Sequence, residues 1–298
     1  MLVFSIIKLT HKGGYMVKIC SDSCCDLTAE QLKENNIAMI PLFVTLGEDD
    51  YLDGVSIQPE DIYDYVKKTK QLPKTAARST EDFKEFFEEL LADGSEVVYT
   101  GIGSQLSSTF DNARRAKEEM GNDRLFVVDS KSLSTGIGLL VLYAAGLAKE
   151  GKSGSEIAKA MEEQSDFNQA SFVVDKLDYL HKGGRCSGLA RFGANLLKIK
   201  PRLELVEGKI ENTGKYMGQF KVVLKKYVDD MLAKCPNPKK DICFVTHTKT
   251  DADIVESVIE YVKSKNIFDC VVETTAGATI TCHCGENTLG VLFLLERE

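Results

Sequence analysis

A histidine flanked by two cysteines stands near the end of the chain, in the stretch AGATITCHCGEN. Thiolate and imidazole groups bind zinc, and they can also serve as nucleophile and base. Consecutive residues are nevertheless poor zinc ligands, because tetrahedral sites usually use pairs separated by about two to four residues. A metal- or thiol-dependent enzyme would therefore need a second cysteine-bearing loop nearby. The candidate cluster for such an enzyme comprises Cys24, Cys25, Cys282, His283 and Cys284.

Hydroxyl-bearing side chains fill four loops in the first half of the chain. These loops have the sequences SDSCCD, KTAARST, GIGSQLSSTF and DSKSLSTGIG. In the third loop, Ser107, Ser108 and Thr109 fall at the start of a predicted helix, where free N–H groups and the helix dipole favour an anion. A single serine in such a place more often serves only as a helix cap. The four loops together indicate an anion site suited to a carboxylate or a phosphate.

Nucleotide binding and ester hydrolysis have weaker support from the same loops. GIGSQLSS lacks the Gly-Lys-Ser/Thr of a phosphate-binding loop, and STGIGLL lacks the third glycine of a dinucleotide-binding motif. No Gly-x-Ser-x-Gly elbow is present, although Ser107 and His283 could meet in space and act on acyl esters. The residues favour a binding site for a small anionic head group and leave a serine acyl hydrolase as an alternative.

Apolar runs of strand length alternate with amphipathic runs of helix length, and these elements must position the loops. The alternation predicts an α/β fold with a mainly parallel sheet, in which ligands bind beyond the carboxyl ends of the strands. The predicted strands are VKIC, IAMIPLFVTL, EVVYTGI, RLFVVD, ASFVVD, DICFVTH, DCVVETT and LGVLFLL, and KPRLELVEGKIEN is predicted to form a β-hairpin. The predicted helices cover residues 59–70, 80–93, 107–120, 134–149, 155–165, 189–197, 218–234 and 251–264.

A break in this pattern at residues 167–170 predicts a boundary between two domains. An N-terminal α/β domain with the hydroxyl-rich loops then covers residues 16–170, and a smaller α/β domain covers 171–298. Residues 1–15 have neither a basic start nor a small-residue cleavage site, so they are a poor signal peptide. We interpret them as an N-terminal extension, with translation starting at Met1 or Met16.

Composition argues against several classes of partner. Acidic residues outnumber basic ones by 45 to 37 among 298 residues, and the formal charge of −8 is the opposite of what nucleic-acid binding requires. No apolar run approaches the roughly 20 residues that span a bilayer. Nine cysteines, an odd number without a disulfide framework, indicate reduced thiols in a cytoplasmic protein.

Seven motifs follow one another from about Met16 to the C-terminus. They are VKICSDSCCDLT, LPKTAARST, GIGSQLSSTFDNARRA, VVDSKSLSTGIG, LDYLHKGGRCSG, LKIKPRLELVEGKI and HCGENTLGV. This ordered set resembles the DegV family of bacterial fatty-acid-binding proteins. The resemblance implies two α/β domains that enclose one long-chain fatty acid in an apolar tunnel, with the second domain closing the lipid site and the carboxylate at the domain interface. It also implies a carrier that needs no cofactor or metal and has no catalytic residues.

The partner implied by the resemblance is a separate fatty acid kinase catalytic subunit, which makes an acyl phosphate for phospholipid metabolism. The family's carboxylate-holding residues correspond to Thr75, Ser107 and His283. Two hydroxyls and an imidazole N–H can hold a carboxylate through charge-assisted hydrogen bonds. His283 would then lie on a loop of the second domain that reaches across to the hydroxyls of the first.

Further residues are predicted to assist this site. The supporting head-group residues are Ser21, Asp22, Ser23 and Ser108. Arg185 of HKGGRCSG matches the family arginine that faces the kinase, where a guanidinium can bind a carboxylate or phosphate through two hydrogen bonds.

Three stretches depart from the family pattern. The motif TAARS has Ala76 in place of a serine and Arg78 in place of a proline, and Ser108 replaces a glycine. The loop after the histidine has Glu286 where the family pattern has proline and Asn287 where it has glycine. Because the three carboxylate-holding residues are retained, we expect the departures to change the mouth of the site, and with it the chain preference and the pairing with a kinase.

Overall fold

The computed structural model describes residues 16–175, 177–186 and 199–297. In chain order, the strands are β1 (Val17–Asp22), β2 (Ile37–Ile40), β3 (Phe43–Leu46), β4 (Asp49–Leu52), β5 (Lys74–Ala76), β6 (Glu96–Gly101), β7 (Leu125–Asp129), β8 (Asn168–Gln169), β9 (Ser171–Val174), β10 (Lys200–Val206), β11 (Lys209–Tyr216), β12 (Pro238–His247), β13 (Cys270–Thr275) and β14 (Thr288–Leu295). The helices are α1 (Ala29–Glu34), α2 (Pro59–Thr69), α3 (Thr80–Leu91), α4 (Thr109–Met120), α5 (Thr135–Lys149), α6 (Gly154–Ser165), α7 (Asp178–Gly183), α8 (Phe220–Lys234), α9 (Ala252–Ser264) and α10 (Ala278–Cys284).

Four parallel strands form the first sheet, in the order β2-β1-β6-β7. Helices α3 and α4 pack on one face around Phe83, Phe87 and Tyr99. On the other face, the apolar helix α5 lies between this sheet and the strands of the second half, and Ile137 and Leu140 are fully buried there. The parallel pairing confirms the prediction of a mainly parallel sheet in the first half. Parallel strands need crossover connections, and helices provide them here.

A small antiparallel sheet, in the order β4-β3-β5, corrects one of the predicted strands. The run IAMIPLFVTL was predicted as a single strand, but β2 ends at Ile40 and β3 begins at Phe43 in a different sheet. Pro41 stands between them, and a proline cannot donate to a strand ladder. The chain therefore leaves the first sheet at Pro41 and starts the second one immediately afterwards.

The second half is built on a mixed sheet in the order β11-β10-β9-β14-β12-β13, with β8 pairing with β14. Helices α8 and α9 cover one face of this sheet, where they pack around Tyr227, Cys243 and Val245. The predicted β-hairpin is confirmed as β10 and β11. Its two turn residues, Glu207 and Gly208, have φ of 48° and 77°, as a tight hairpin turn requires.

The remaining predictions from the sequence have different outcomes. Helix 189–197 and the extension 1–15 lie outside the described residues. The stretch around His283, expected as a loop, is the helix α10. The boundary near residue 170 stays a prediction, although β8 already pairs with β14. No helix in the described part of the chain combines the length and the apolar character that crossing a bilayer requires.

Candidate functional site

A cavity opens at the carboxyl ends of the parallel strands, where the sequence predicted a ligand site. It encloses about 820 Å³, counting its mouth toward solvent. Loops after β1, β6 and β7 meet β5, α7, α10 and the β10–β11 hairpin around it. Its polar and charged lining residues are Thr75, Ser107, Ser108, Thr279, His283 and Arg185, together with the thiols of Cys24 and Cys284. Most of the remaining wall is aliphatic and comprises Leu42, Ala76, Ala77, Ile102, Leu106, Leu133, Leu180, Ile210 and Ile280.

The three residues predicted to hold a carboxylate all line this one cavity. Thr75 comes from the edge strand β5, Ser107 from the loop before α4, and His283 from the end of α10. They are separated by up to 208 residues in sequence. Two hydroxyl groups and an imidazole therefore face the same space, as a binding site for an anion requires.

His283 is bonded to Thr75 and is otherwise enclosed. Its Nε2 lies 2.9 Å from Thr75 Oγ1, whereas Nδ1 has no hydrogen-bond partner among the described residues. Burial, and secondarily the positive charge of Arg185, lower the pKa of His283 to about 4. The imidazole is therefore neutral near pH 7, so it can take part in hydrogen bonds but brings no positive charge of its own.

The close approach of Gly183 explains the enclosure of His283. A Cβ atom placed on Gly183 would lie only 2.8 Å from His283 Nδ1, closer than such atoms approach in proteins. The glycine ends α7 and belongs to the HKGGR motif. In the sequence, this motif is notable for Arg185. The structure shows that Gly183 of the same motif lets the backbone pack against His283.

Ser107 serves both the helix and the cavity. Its Oγ accepts the Thr109 N–H at 3.2 Å and lies 2.8 Å from Thr109 Oγ1. Ser108, the residue directly before α4, makes no such side-chain cap. Ser107 thus accepts the N–H of the first residue of α4 without being its N-cap residue, and this bond is compatible with ligand binding because a hydroxyl has a donor and two acceptor positions.

Ser21, Asp22 and Ser23 lie behind the cavity wall rather than on it. Asp22 is fully buried and accepts hydrogen bonds from Tyr99 Oη at 3.0 Å and the Ile102 N–H at 2.8 Å. Burial raises the pKa of Asp22 to about 6. Since Ile102 lines the cavity, Asp22 supports the wall by tying the loop after β6 to the end of β1.

Two buried carboxyl groups, which sequence reasoning passed over, hold the start of α10. Asp53 Oδ1 accepts the Ala278 N–H at 2.9 Å, and Asp26 Oδ1 accepts the Gly277 N–H at 2.9 Å. Burial raises the pKa of Asp26 to about 8, despite its hydrogen bonds to Ser134 and Gly277. Both acids come from the first half of the chain, whereas the helix comes from the second. The sequence carries no local signal for this pairing.

Arg185 is exposed at the mouth of the cavity. Its Nη1 donates to the Gly183 carbonyl oxygen at 2.6 Å, which ties the side chain to the turn after α7. In the described part of the chain no carboxylate pairs with it. A cationic group thus stands beside the polar end of the cavity.

The departures from the family pattern lie in different places. Ala76 and Ser108 line the cavity, as expected. Arg78 does not: it is buried, its Nε donates to the Pro41 carbonyl oxygen at 2.6 Å, and its guanidinium lies 4.1 Å from the centre of the Phe43 ring. The expectation that Arg78 changes the mouth is wrong, because its side chain stabilises the link between β2 and β3.

The cysteines do not form the cluster that a metal or thiol enzyme would need. Cys24 and Cys284 line the cavity, whereas Cys282 packs with Val44 and Ile57 on the other side of α10. Burial raises the pKa of the thiols of Cys24, Cys25, Cys282 and Cys284. Protonated thiols are poor nucleophiles and poor ligands. Among the described residues, no three His, Cys, Asp or Glu side chains are grouped so as to hold a metal ion.

The serine hydrolase alternative lacks its hydrogen-bond chain. The Ser107 hydroxyl is bonded to Thr109, and His283 is bonded to Thr75. A general base must contact the nucleophile and must itself be oriented by a third group. Within the described residues, nothing bonds to His283 Nδ1, so the orienting acid of a triad is absent there.

A second, smaller cavity adjoins the first. Leu133, Ile280 and Cys284 line both, so these three side chains separate the two spaces. The second cavity has a volume of about 330 Å³, counting the space open to solvent, and is bounded by the loop before α5, by α10 and by strands of the mixed sheet. Phe172 and Leu292 contribute to its apolar wall.

The chain is similar to known proteins over almost its whole length. The model of the DegV family, described as a family of uncharacterised proteins, matches residues 16–296. A DegV domain-containing protein of Clostridium perfringens is 31% identical over 283 residues, covering 93% of this chain and 96% of its own. One of Staphylococcus aureus is 32% identical over 285 residues, covering 93% and 98%.

Solved structures similar to this chain also include DegV family proteins. A DegV family protein from Thermus thermophilus, described by its fatty acid binding, superposes with a TM-score of 0.87 at 28% identity, covering 94% of this chain and all (100%) of that one. DegV from Bacillus subtilis, described as a fatty acid binding protein, superposes with a TM-score of 0.80 at 27% identity, covering 95% and 100%.

Proposed function

Because the chain belongs to the DegV family, we propose that it binds one long-chain fatty acid, with the carboxylate between Thr75, Ser107 and His283. One observation carries the proposal: these three polar side chains, from distant parts of the chain, line one cavity whose remaining wall is largely aliphatic. An amphipathic ligand with one anionic end fits such a wall, since each end meets groups of its own polarity.

The polar end suits a carboxylate in its chemistry. A buried carboxylate needs hydrogen-bond donors in place of its lost hydration, and two hydroxyls with an imidazole can supply them. His283 is neutral because of its lowered pKa, so positive potential from another group is needed to favour the charged form of the ligand. The N-terminal end of α4, where Ser107 and Ser108 line the cavity, provides that potential.

The apolar end has room beyond the first cavity. Burying an acyl chain contributes about 0.8 kcal/mol per methylene, so the tail supplies most of the affinity and the polar residues fix its orientation. The second cavity lies directly behind Leu133, Ile280 and Cys284. We propose that the end of a long tail enters it when these side chains move apart, which completes an apolar tunnel.

Lipid analysis tests this function directly. Purified protein is denatured and extracted, and the extract is examined by mass spectrometry for one equivalent of fatty acid. Added oleate is then titrated into delipidated wild type, Ser107→Ala and His283→Ala, with Ser104→Ala as the control because Ser104 shares the loop but does not line the cavity. We expect the first two variants to bind oleate more weakly and the control to match wild type. An extract without fatty acid, together with no uptake of oleate, would contradict the proposal.

We further propose that the protein is a carrier rather than an enzyme, and that it presents the carboxylate to a separate fatty acid kinase catalytic subunit. The position of the polar residues near the mouth, beside the exposed Arg185, supports this role. The nine cysteines, of which eight are buried, fit a reducing compartment and hence the cytoplasm.

Acyl phosphate formation with a purified kinase subunit and ATP tests the carrier role. Arg185→Ala should retain oleate affinity and lose acyl phosphate production, because its guanidinium is exposed beside the site. Arg115→Ala is the matched control, since Arg115 is exposed on α4 and does not line the cavity. Equal production by wild type and Arg185→Ala would remove the role of Arg185.

A further inference from the structure

Helix α10 is held at both ends by one small sheet. At its start, Asp53 Oδ1 accepts the Ala278 N–H at 2.9 Å and Asp53 Oδ2 accepts the Thr279 N–H at 3.2 Å. At its end, His283 Nε2 lies 2.9 Å from Thr75 Oγ1. The helix has only seven residues, and so short a helix owes its position to such contacts rather than to its own stability.

The strand register fixes the distance between the two points of attachment. Leu52 of β4 and Ala76 of β5 both pair with Phe43 of β3. Asp53 follows Leu52 directly, and Thr75 precedes Ala76 directly. The acid that holds the start of α10 therefore directly follows a strand of the same hydrogen-bonded sheet that carries the hydroxyl in contact with His283.

Asp53 itself has little freedom to move. Its side chain belongs to a residue that is only 2% exposed, and Oδ2 also accepts the Ser23 hydroxyl at 2.9 Å. The Ser23 Oγ in turn accepts the Leu42 N–H at 3.1 Å. This chain of hydrogen bonds links Asp53 to the loop after β1, which is where the predicted supporting residue Ser23 acts.

The face of α10 between its ends packs on the same sheet. Ala278 and Cys282 are buried against Val44 of β3 and against Ile57 and Ile62. The next residue after Cys282 is His283, whose ring turns toward the cavity. A shift of α10 along the sheet would thus break the contacts of Asp53 and the contact of Thr75 together.

We propose that Asp53 is a positioning residue of the carboxylate site: through α10, it holds His283 beside Thr75 so that both side chains can contact one ligand carboxylate. The inference rests on the proposed function for the identity of the ligand. Asp53 does not line the cavity, so it acts on His283 through the helix. A displacement of about 1 Å in a binding group is enough to weaken such a site strongly.

Asp53→Ala and Asp53→Asn test this role, with Ser153→Ala as the matched control. Ser153 caps α6 in the same manner, by accepting the Glu156 N–H, and no residue of α6 lines the cavity. The first readout is the ratio of affinities for palmitic acid and for hexadecanol, which have the same tail and differ in the head group. The second is the titration of the His283 ring followed by NMR in the lipid-free protein, with His283→Gln for assignment.

We expect Asp53→Ala to lower the acid-to-alcohol affinity ratio by at least about tenfold, since a hydrogen bond to a charged group is lost or misplaced. The pKa of His283 should rise from about 4 toward its ordinary 6.5 as water reaches the ring. Asp53→Asn keeps one accepting oxygen and should give an intermediate change in both readouts. Ser153→Ala should lower the thermal stability and leave both readouts at the wild-type values.

The proposal is overturned if the Asp53 variants lose stability as Ser153→Ala does but keep the wild-type affinity ratio and His283 titration. Should Asp53→Ala not fold, Asp53→Asn supplies the same two readouts and the same decision. A wild-type protein that binds acid and alcohol equally would contradict the proposed function instead, and the titration of His283 would still decide whether Asp53 positions it.

Discussion

Thr75 Oγ1 and His283 Nε2 lie 2.9 Å apart, although 208 residues separate them in sequence. Thr75 stands on an edge strand of the small sheet and His283 on the short helix that packs against that sheet. Because the imidazole is neutral near pH 7, the contact is a hydrogen bond between uncharged groups. Each partner orients the other toward the cavity, and a ligand carboxylate would meet them as one unit.

Replacing Thr75 with valine should weaken fatty acid binding with little change in the fold. The substitution conserves the shape of the side chain but removes the hydroxyl, so His283 Nε2 loses its partner and the carboxylate loses a donor. A lost hydrogen bond to a charged group costs about 1.5–3 kcal/mol, so the Kd for oleate should rise at least about tenfold. Isothermal titration calorimetry of the delipidated variant measures it.

Thr45→Val is the control for this substitution. Thr45 lies on β3, in the same sheet, and its hydroxyl donates to Asp50 away from the cavity. Its oleate affinity should equal that of wild type. If Thr75→Val bound oleate as tightly as Thr45→Val, then Thr75 would have no part in holding the carboxylate.

Gly183→Ala should displace His283. The added Cβ would lie 2.8 Å from Nδ1, and either the ring or the end of α7 must move. We expect weaker oleate binding and a higher pKa of His283, because the displaced ring becomes more hydrated. Gly146→Ala serves as the control, since it adds a Cβ inside α5 where nothing lies within 4 Å. That control should be stabilised by up to about 1 kcal/mol. If both variants bound oleate with equal affinity, the result would contradict the tight packing at His283.

Acid should destabilise the wild type more than His283→Gln. The pKa of His283 is lowered from 6.5 to about 4 in the folded protein, so the unfolded chain binds a proton first as the pH falls. The unfolded state is therefore favoured between these two values. Urea unfolding of both proteins from about pH 7 to pH 5 should show that wild type loses about 2 kcal/mol more. Parallel curves would mean that His283 is not buried as described.

Comparison with Asp26→Asn should reveal the opposite pH dependence, in which the wild type loses stability as the pH rises. The pKa of Asp26 is raised from 3.8 to about 8 by burial, so the folded protein keeps a proton that the unfolded chain has lost. The stability that this provides is complete below about pH 3.8 and is lost as the pH rises through about 8. An asparagine cannot titrate, so the free energy of unfolding of the variant should rise relative to that of wild type by up to about 1.4 kcal/mol per pH unit between about pH 5 and 8. A constant difference in the free energy of unfolding would refute the raised pKa.

Local patterns in the sequence determined much of the scaffold. Apolar runs of strand length separated by amphipathic helices predicted the parallel sheet, because burial on both faces forces that pattern. The EGK turn between apolar runs predicted the hairpin, and the ordered motifs indicated which hydroxyls and which histidine to seek. Thr75, Ser107 and His283 do line a common cavity. These features are readable since each depends on neighbouring residues or on a motif kept in order.

Only the tertiary structure decided how the site is held. Nothing near Asp53 in sequence indicates that it binds N–H groups 225 and 226 residues away. The helix α10 could not be foreseen either, because TITCHC is rich in β-branched residues and cysteine, which have low helix propensity. Carboxyl groups brought in from the first half satisfy the first N–H groups of that helix and so allow it to form. Long-range hydrogen bonds of this kind depend on chain segments that meet only after folding, and a single sequence does not record them.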